Sequence, residues 1–284
     1  VVLLIGWRGE PGVSDEPQHV HQGKVTKGTL ELLDIPFFEL TAASEDTPEL
    51  HASIRRLVET ARERSCPVAL LVSKGTFAPY DYASGASEAQ LTREEAVTAM
   101  AEAISSPASL IVSTTGKLSR ELYEFRKSSA SKIVDFYNVG SMGHLSQIAL
   151  GLAKHAPDRR VYCFDGDGAA LMHLGGLAIA AAQKLENYHY VLFNNGAHDS
   201  VGGQPTIASA LDFGAIAEAF GFRAVFRATN REELDRAAKQ LANATGPTFL
   251  EIVVRKGARK DLGRPKETPV ENKLAFMRNV RGGP

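Results

Sequence analysis

The chain has 284 residues, of which 44% are hydrophobic and 23% charged, enough for two domains that each have a buried core. The formal net charge is -1 and the basic residues form no long run, which argues against a nucleic-acid or membrane-surface binder. No apolar stretch approaches the roughly 18 residues of a membrane span. The two cysteines, Cys66 and Cys163, lie in or beside apolar runs, as buried thiols of a reducing compartment do. We therefore expect a globular cytoplasmic protein.

The first 76 residues alternate between strand and helix patterns. Apolar runs predict strands over residues 1–6, 35–40 and 67–73, the first of them buried, and residues 47–65 predict an amphipathic helix. Because the chain begins in a strand without a Met, we expect further residues upstream of Val1. A polar stretch with Gly and Ser follows and predicts a linker over residues 77–91.

The remaining chain, residues 92–284, is predicted to be a second domain. It opens with the sequence TREE, in which Thr92 and the Glu three residues later have the form of a helix capping box. Five apolar runs predict strands over residues 109–115, 132–139, 161–166, 189–195 and 249–254. Helical patterns between them, such as 117–127 and 231–241, predict an α/β fold with mainly parallel sheets covered by helices on both faces.

Three of these strands end in unusual sequences: NVGSMGH (138–144), GDG (166–168) and NNGAH (194–198). Ligands of parallel sheets bind at the carboxyl ends of strands, and glycines there let the backbone approach a ligand closely. A helix that starts behind Gly168 would direct backbone N–H groups at an anion. Magnesium prefers oxygen ligands, which Asp167, Asn195 and the backbone carbonyl of Ala197 could supply. The pattern predicts a site for a magnesium diphosphate.

Each of these motifs also has a simpler explanation. An Asp between two glycines often caps a helix after a tight turn, and the sequence NNG is often a plain turn. The combination is more specific, because 25 residues lie between Gly168 and Asn194, enough for one crossover helix and the adjacent strand. That spacing allows both motifs to reach one ion.

The motifs resemble those of a known family. The sequence GDG, 25 residues and then NN resembles the signature of thiamine-diphosphate-dependent enzymes, and GSMG resembles the loop that receives the aminopyrimidine ring of the cofactor. Four longer segments resemble the phosphonopyruvate decarboxylase family: GWRGEPGVSDEPQHVHQG (6–23), STTGKLSRELYE (113–124), VGSMGHLSQIALGLA (139–153) and NNGAHDSVGGQPT (194–206). The resemblance covers nearly all of the chain.

The resemblance implies a thiamine-diphosphate-binding fold. Residues 1–76 would be the second half of a pyrimidine-binding domain and residues 92–284 the diphosphate-binding domain. The implied activity is decarboxylation of 3-phosphonopyruvate to phosphonoacetaldehyde and CO2 with thiamine diphosphate and Mg²⁺. Two alternatives stay open: decarboxylation of sulfopyruvate or another 2-keto acid, and a cofactor-binding fragment or subunit without turnover of its own.

The resemblance also implies roles for single residues. The implied cofactor-binding residues are Gly116, Gly140, Ser141, Met142, Gly166, Asp167, Gly168 and Asn195. Asp167, Asn195 and the Ala197 carbonyl would hold the magnesium. Gly140 would offer its carbonyl to the 4'-amino group, and Met142 would separate the two cofactor rings. Without that context Met142, just past a strand, would be read as a core residue.

Four polar residues are candidates for contact with the substrate. A histidine in general can exchange a proton near neutral pH, so residues such as His19, His21 and His198 could donate a proton after carbon dioxide leaves or attract an anionic substrate. Arg8 is a candidate for binding the phosphonate, because a guanidinium offers paired donors to its oxygens. The alternatives are exposed loop histidines and, for Arg8, an ordinary surface salt bridge.

One feature of the family has no counterpart in the sequence. Enzymes of this family use a glutamate in the first half of the pyrimidine domain to hold the N1' proton of the cofactor. None of Glu10, Glu16 or Glu31 occupies a corresponding position. Because the family's cofactor lies between domains of different subunits, the resemblance also implies a homo-oligomer, at least a dimer.

Overall fold

The computed structural model describes residues 1–78, 89–129 and 133–282. The chain forms two compact units, Val1–Ala83 and Ser84–Pro284. Most of the predicted linker, residues 77–91, lies outside the described residues, so the domain bounds at 76 and 92 stay predictions.

In its described residues, the first unit is a small parallel sheet with two α-helices and a short 3-10 turn at Pro17–His19. Its elements are β1 (Val2–Gly6), α1 (Val20–Leu32), β2 (Phe37–Leu40), α2 (Pro48–Glu63) and β3 (Val68–Val72). The strand order is β1-β3-β2, with both pairs parallel. Helix α2 begins after Thr47, whose side chain accepts the N–H of Leu50 and so satisfies one of the free donors of the first turn.

The sequence predicted the three strands and α2 but differs from the structure at two points. Strand β1 was expected to be buried, and this is wrong: it is an edge strand with one strand neighbour, and Val2 and Leu4 are 45% and 64% exposed. Helix α1 was not predicted. Gly23 and Gly28 interrupt its pattern, and Gly23 is needed because a Cβ there would collide with the backbone of Gly9.

The second unit is built around one parallel sheet. Its strands are β4 (Leu91–Thr92), β5 (Ser109–Ser113), β6 (Phe136–Tyr137), β7 (Arg160–Gly166), β8 (Tyr188–Asn194), β9 (Ala197–His198), β10 (Gln204–Pro205), β11 (Ala224–Ala228) and β12 (Thr248–Arg255). Its helices are α3 (Arg93–Ala103), α4 (Lys117–Ser128), α5 (Leu145–His155), α6 (Asp167–Met172), α7 (Gly175–Ala182), α8 (Phe213–Phe220), α9 (Arg231–Asn243) and α10 (Pro269–Val280). The sheet runs β11-β12-β8-β7-β5-β6, with β4 added at β12, while β9 and β10 form a separate antiparallel pair.

Helices cover both faces of this sheet, as the sequence predicted. Along β7 successive side chains point to opposite faces. Tyr162 and Phe164 pack with α3, α4 and α9, and Val161 and Cys163 pack with α5, α7, α8 and α10. The predicted capping box at Thr92 is also confirmed. Among the described residues no helix is long and apolar enough to cross a membrane.

Two strands of this sheet differ from the prediction. Strand β6 was expected over residues 132–139, of which Lys132 lies outside the described residues, but it is formed by Phe136 and Tyr137 alone. A side chain of α10 replaces a neighbouring strand there: the N–H of Tyr137 donates to Asn272 Oδ1, and Asn272 Nδ2 donates to the carbonyl of Asp135. Strand β11 was missed because it is short and carries Arg227.

Candidate cofactor and metal site

The predicted ligand-binding loops follow strands β5, β6, β7 and β8, which are parallel to one another. The carboxyl ends of parallel strands lie at the same edge of a sheet. The glycine-containing sequences after these strands are therefore gathered at one edge. Helix α6 begins at Asp167 itself, with Gly166 as its extended N-cap residue, rather than behind Gly168 as the sequence suggested.

Asp167 is a buried carboxylate at this edge, with 2% of its surface exposed. Burial raises its pKa above the ordinary value, and the hydroxyl of Thr206 and the backbone N–H of Asn195 oppose the rise. Thr206 Oγ1 donates to Asp167 Oδ2 at 2.5 Å. These partners are neutral, so they do not balance the charge of the carboxylate. A divalent cation would do so.

The two adjacent asparagines differ in their hydrogen bonds. Asn194 uses both ends of its amide inside the protein, because Nδ2 donates to Glu251 at 2.8 Å and Oδ1 accepts the N–H of Gly196 at 3.1 Å. Asn195 Nδ2 donates to Asp199 at 2.7 Å, and Asn195 Oδ1 accepts the N–H of Ala197 at 3.1 Å. An amide oxygen has two lone pairs, so Asn195 Oδ1 keeps the capacity to bind a metal.

The backbone carbonyl of Ala197, the third predicted ligand, points away from the neighbouring strand. Ala197 in β9 lies opposite Pro205 in β10, and this is a non-hydrogen-bonded position, because hydrogen-bonded and non-hydrogen-bonded pairs alternate along an antiparallel ladder. The neighbouring carbonyl of Gly196 accepts the N–H of Thr206 at 2.9 Å. The Ala197 carbonyl is therefore the oxygen of this turn that the pairing leaves available for a ligand.

The donor set as a whole fits magnesium. It offers one carboxylate, one amide oxygen and one backbone carbonyl, and a Mg²⁺ ion completes such a set with phosphate and water oxygens. Among the described residues no group of three His, Cys, Asp or Glu side chains could hold a metal ion. A transition-metal site of that kind therefore has no candidate in the described part of the chain.

The loop after β6 has a tightly turned backbone. Gly140, Ser141 and Gly143 all have positive φ, at 72°, 45° and 86°. Such a conformation costs about 1–2 kcal/mol for a residue with a Cβ, which Ser141 accepts and the glycines avoid. Asn138 Nδ2 donates to the Gly140 carbonyl at 2.9 Å. That carbonyl has a second lone pair, so it can still accept from the cofactor's amino group.

Met142, Gly168 and His198 meet at one point of the site. A Cβ placed on Gly168 would lie 2.7 Å from the ring of His198 and 3.3 Å from Met142 Cε. Met142 is half-buried, which differs from the core residue that its position after a strand would suggest. His144, the N-cap residue of α5, lies with its ring 4.4 Å from that of His173.

Gly116 lies at the start of α4 with φ 104° and ψ -146°, a conformation open to glycine. A Cβ on Gly116 would lie 2.6 Å from Ser200 Oγ. The preceding Thr115 accepts the N–H of Gly140 at 3.2 Å. The loops after β5, β6 and β8 are therefore in contact. Gly166, by contrast, is extended, and a Cβ there would meet no protein atom within 4 Å.

The other predicted substrate residues belong to the first unit. Arg8 binds Asp15 through two hydrogen bonds, from Nε at 2.9 Å and from Nη2 at 2.6 Å. The bound guanidinium lowers the pKa of the Asp15 carboxyl. His19 Nδ1 lies 3.3 Å from the same carboxylate, and His21 is exposed. Arg8 thus forms a salt bridge, the alternative to phosphonate binding that the sequence left open. Its role toward a substrate stays a prediction.

Several polar residues of the site were not predicted from the sequence. Thr206 binds Asp167, Glu251 binds Asn194, and Asp199 binds Asn195. Arg93, known from the sequence only as part of the capping-box segment, binds Asp199 and Glu121. Thr206 and Asp199 lie in the segment NNGAHDSVGGQPT that carries the resemblance, which is the signal that could have identified them.

Fold and loop arrangement together define the second unit as a thiamine-diphosphate-binding domain. Residues 114–252 match the family model "Thiamine pyrophosphate enzyme, C-terminal TPP binding domain". The match begins in the loop after β5 and ends within β12, so it includes all the loops described above.

Comparison with known proteins narrows the family. The phosphonopyruvate decarboxylase of Streptomyces viridochromogenes is 37% identical over 299 residues, covering 100% of this chain and 73% of that protein. The phosphonopyruvate decarboxylase of Streptomyces hygroscopicus is 38% identical over 287 residues, covering 95% of this chain and 69% of that protein. The sulfopyruvate decarboxylase subunit beta of Methanothermobacter thermautotrophicus is 41% identical over 148 residues, covering 52% of this chain and 75% of that protein. The chain belongs to the phosphonopyruvate decarboxylase family of thiamine-diphosphate-dependent enzymes.

Proposed function

We propose that this protein decarboxylates 3-phosphonopyruvate to phosphonoacetaldehyde and CO2, with thiamine diphosphate and Mg²⁺ as cofactors. The observation that carries the proposal is the similarity to two phosphonopyruvate decarboxylases along 100% and 95% of the chain. That similarity extends through the first unit, which contains the predicted substrate residues, as well as through the cofactor-binding domain.

In this proposal three oxygens of the second unit hold the magnesium. They are the carboxylate of Asp167, Oδ1 of Asn195 and the backbone carbonyl of Ala197, and their supporting contacts are described above. The ion would bind both the protein and the diphosphate. Without it, the negative charge of Asp167 would repel the negative charge of the diphosphate. Thr206 keeps Asp167 oriented toward this position.

The chemistry requires the bond between C1 and C2 of the keto acid to break and a proton to take the place of the carboxylate. Thiamine diphosphate, when bound, supplies the acceptor for the electron pair that CO2 leaves behind. The protein's own part is to orient the cofactor and to supply the proton. Met142 and the Gly140 carbonyl would hold the reactive end of the cofactor, and His198, whose ring lies beside Gly168, would deliver the proton.

Sulfopyruvate is the second candidate substrate, and one observation favours it: the 41% identity with a sulfopyruvate decarboxylase beta subunit over 148 residues. A sulfonate and a phosphonate differ by little more than one charge. An arginine such as Arg8 would bind either one. The charge that Arg8 presents is partly balanced by Asp15, so the two groups must be compared by experiment.

The metal assignment is tested by calorimetry of thiamine diphosphate binding in millimolar Mg²⁺. Asp167→Ala should abolish magnesium-dependent binding, because the cation loses its charged ligand. Asp158→Ala, which removes an exposed carboxylate, is the matched control and should bind as the parent does. Equal affinity of Asp167→Ala and the parent would refute the site.

The substrate is tested by CO2 release from phosphonopyruvate, sulfopyruvate and pyruvate by the natural full-length protein. We expect kcat/KM for phosphonopyruvate to exceed that for pyruvate by about 10- to 100-fold or more, as a charge-assisted pair provides. Arg8→Ala should reduce this preference. Equal values for phosphonopyruvate and pyruvate would contradict the proposal, and a higher value for sulfopyruvate would select the second candidate.

We also propose that the protein acts as a homo-oligomer, at least a dimer. The support is the family resemblance, in which the cofactor lies between domains of different subunits. Sedimentation of the full-length protein with and without cofactor tests this: an active species with the mass of a monomer would contradict it.

A further inference from the structure

We infer that Asp199 is a positioning residue that fixes the orientation of the Asn195 amide, so that the amide presents its oxygen to the cation. The inference rests on the proposed magnesium site, because it concerns one of the ligands of that site. Asp199 is four residues beyond Asn195 and receives the hydrogen bond of Asn195 Nδ2 at 2.7 Å.

The chemistry of an asparagine makes such a residue necessary. One end of the amide is an oxygen that can bind Mg²⁺, and the other is an NH2 group that donates hydrogen bonds and cannot. The two ends have nearly the same shape, so packing does not distinguish them. A rotation of 180° about the last side-chain bond would bring hydrogens toward the cation and remove a ligand.

Asp199 distinguishes the two ends because its Oδ2 already receives N–H donors from Arg93 and Gly257 and acts as an acceptor, which suits the NH2 end of the amide and not its oxygen. In the observed orientation, Asn195 Nδ2 donates to Asp199 Oδ2 and Asn195 Oδ1 accepts the N–H of Ala197. After rotation the amide oxygen would face the carboxylate, and the NH2 group would face the N–H of Ala197. Both contacts would then be repulsive, so the two partners enforce the same orientation.

Asp199 is itself held by two further donors. Its Oδ2 accepts Arg93 Nη1 at 3.0 Å and the backbone N–H of Gly257 at 3.0 Å. Arg93 is anchored in turn by Glu121, through Nε at 2.8 Å and Nη2 at 3.0 Å. The side chains of Asp199, Arg93 and Glu121 are 6%, 7% and 1% exposed, so water competes little with these bonds.

This arrangement explains why an arginine is buried beside a cofactor site that needs a cation. Arg93 donates a hydrogen bond to Asp199, so the carboxylate of Asp199 lies between the guanidinium and Asn195 and balances the positive charge of Arg93. The chain Glu121, Arg93, Asp199, Asn195 connects α4 and α3 to the loop after β8. Supporting contacts of this kind commonly change metal affinity by 10- to 100-fold when they are removed.

The test measures the Mg²⁺ dependence of thiamine diphosphate binding by calorimetry, together with the thermal unfolding of the same variants in EDTA. Asp199→Ala should raise the Mg²⁺ concentration at half-saturation by about 10- to 100-fold. Asp199→Asn keeps a carbonyl oxygen that can accept from Asn195, so it should recover most of the affinity. Asp199→Thr replaces Asp199→Ala if the latter does not fold.

Two controls separate positioning from a structural role. Asp135→Asn disturbs the buried ion pair with Arg126, which is not part of the chain from Glu121 to Asn195, and should lower the Tm while leaving the Mg²⁺ requirement close to that of the parent. Asn195→Asp has an oxygen at both ends, so orientation no longer matters. Adding Asp199→Ala to Asn195→Asp should therefore cause no further loss of Mg²⁺ affinity.

The outcomes are distinguishable from failure of the proposed function. If Asp167→Ala keeps magnesium-dependent binding, the metal site and this inference both fail. If Asp167→Ala abolishes binding but Asp199→Ala leaves the Mg²⁺ requirement unchanged, only the inference fails. It also fails if the Mg²⁺ requirement of the Asp199 and Asp135 variants simply follows their Tm.

Discussion

Thr206 donates a hydrogen bond to Asp167 across 39 residues of sequence, with 2.5 Å between Thr206 Oγ1 and Asp167 Oδ2. Thr206 also accepts the N–H of Ala208, so the hydroxyl lies between a backbone donor and the buried carboxylate. The bond connects the turn after β10 to the start of α6. It restricts the rotation of a carboxylate that the proposed function assigns to the metal.

Replacing Thr206 with Val should therefore weaken magnesium-dependent binding of thiamine diphosphate. The substitution keeps the side chain's shape, and a hydrogen bond to a charged group contributes about 1.5–3 kcal/mol. We expect the Kd to rise about 10-fold or more in calorimetry. Thr206→Ser keeps the hydroxyl and should bind like the parent. Equal affinity of the Val and Ser variants would show that the hydroxyl does not support the metal ligand.

The glycines on either side of Asp167 should respond differently to alanine. A Cβ on Gly168 would lie 2.7 Å from the His198 ring and must displace it or Met142, whereas a Cβ on Gly166 meets no protein atom within 4 Å. We expect Gly168→Ala to lower the free energy of unfolding by about 1–3 kcal/mol. Gly166→Ala should leave it unchanged or raise it by up to about 1 kcal/mol.

Thermal unfolding without cofactor and Mg²⁺ measures this difference on the protein alone. The absence of cofactor matters because a Cβ on either glycine could also touch the bound diphosphate. Equal Tm values for the two variants would mean that the ring of His198 moves away without cost.

The sequence predicted the part of the site that depends on strand ends and spacing. Asp167 and Asn195 follow neighbouring parallel strands, and the structure places the Asn195 N–H on the Asp167 carboxylate. The contact between Arg93 and Asp199 joins residues 106 positions apart, and no local pattern specifies which buried arginine meets which carboxylate. Such pairs depend on how helices pack on the sheet.

The fold shows the same limit. Five of the nine described strands of the second unit were predicted from their apolar runs, yet β6 is shorter than predicted, and Asn272, far along the chain, occupies its outer edge. Helix α1 was missed because its glycines serve a close backbone approach rather than helix propensity. Local sequence patterns therefore predict the central strands of the sheet. The length of an edge strand and the close approach of two backbone segments depend on tertiary contacts, which local patterns do not contain.

The buried His189 should make stability depend on pH. It is fully buried in β8, its Nδ1 lies 2.8 Å from the Thr248 hydroxyl, and burial lowers its pKa to about 3. In the unfolded chain a histidine titrates near 6.5. The unfolded state therefore binds the proton first, so the contribution of this group is complete above about pH 6.5 and is lost as the pH falls toward about 3.

Denaturant unfolding of the parent and of His189→Gln at pH 8, 6 and 5 isolates this group. Below about pH 6.5 the parent should lose up to about 1.4 kcal/mol per pH unit more than the variant, which has no titrating group at this position. Glutamine keeps a polar partner for Thr248. Parallel pH profiles would show that folding does not lower the pKa of His189.

The two adjacent asparagines should separate stability from metal binding. Asn194 is 8% exposed, and its amide satisfies Glu251 and the N–H of Gly196, so Asn194→Ala leaves buried polar groups without their partner. We expect this variant to lose about 1–3 kcal/mol of unfolding free energy. At temperatures where it stays folded, its Mg²⁺ requirement should change much less than that of Asn195→Ala.

Asn195→Ala removes a proposed ligand while Asp199 keeps its hydrogen bonds from Arg93 and from the N–H of Gly257. Its Tm in EDTA should stay close to that of the parent, and its magnesium-dependent binding of thiamine diphosphate should be largely lost. Calorimetry and thermal unfolding of both variants decide the matter: the opposite result, with Asn194→Ala losing the metal and Asn195→Ala losing stability, would assign the ligand to the first asparagine.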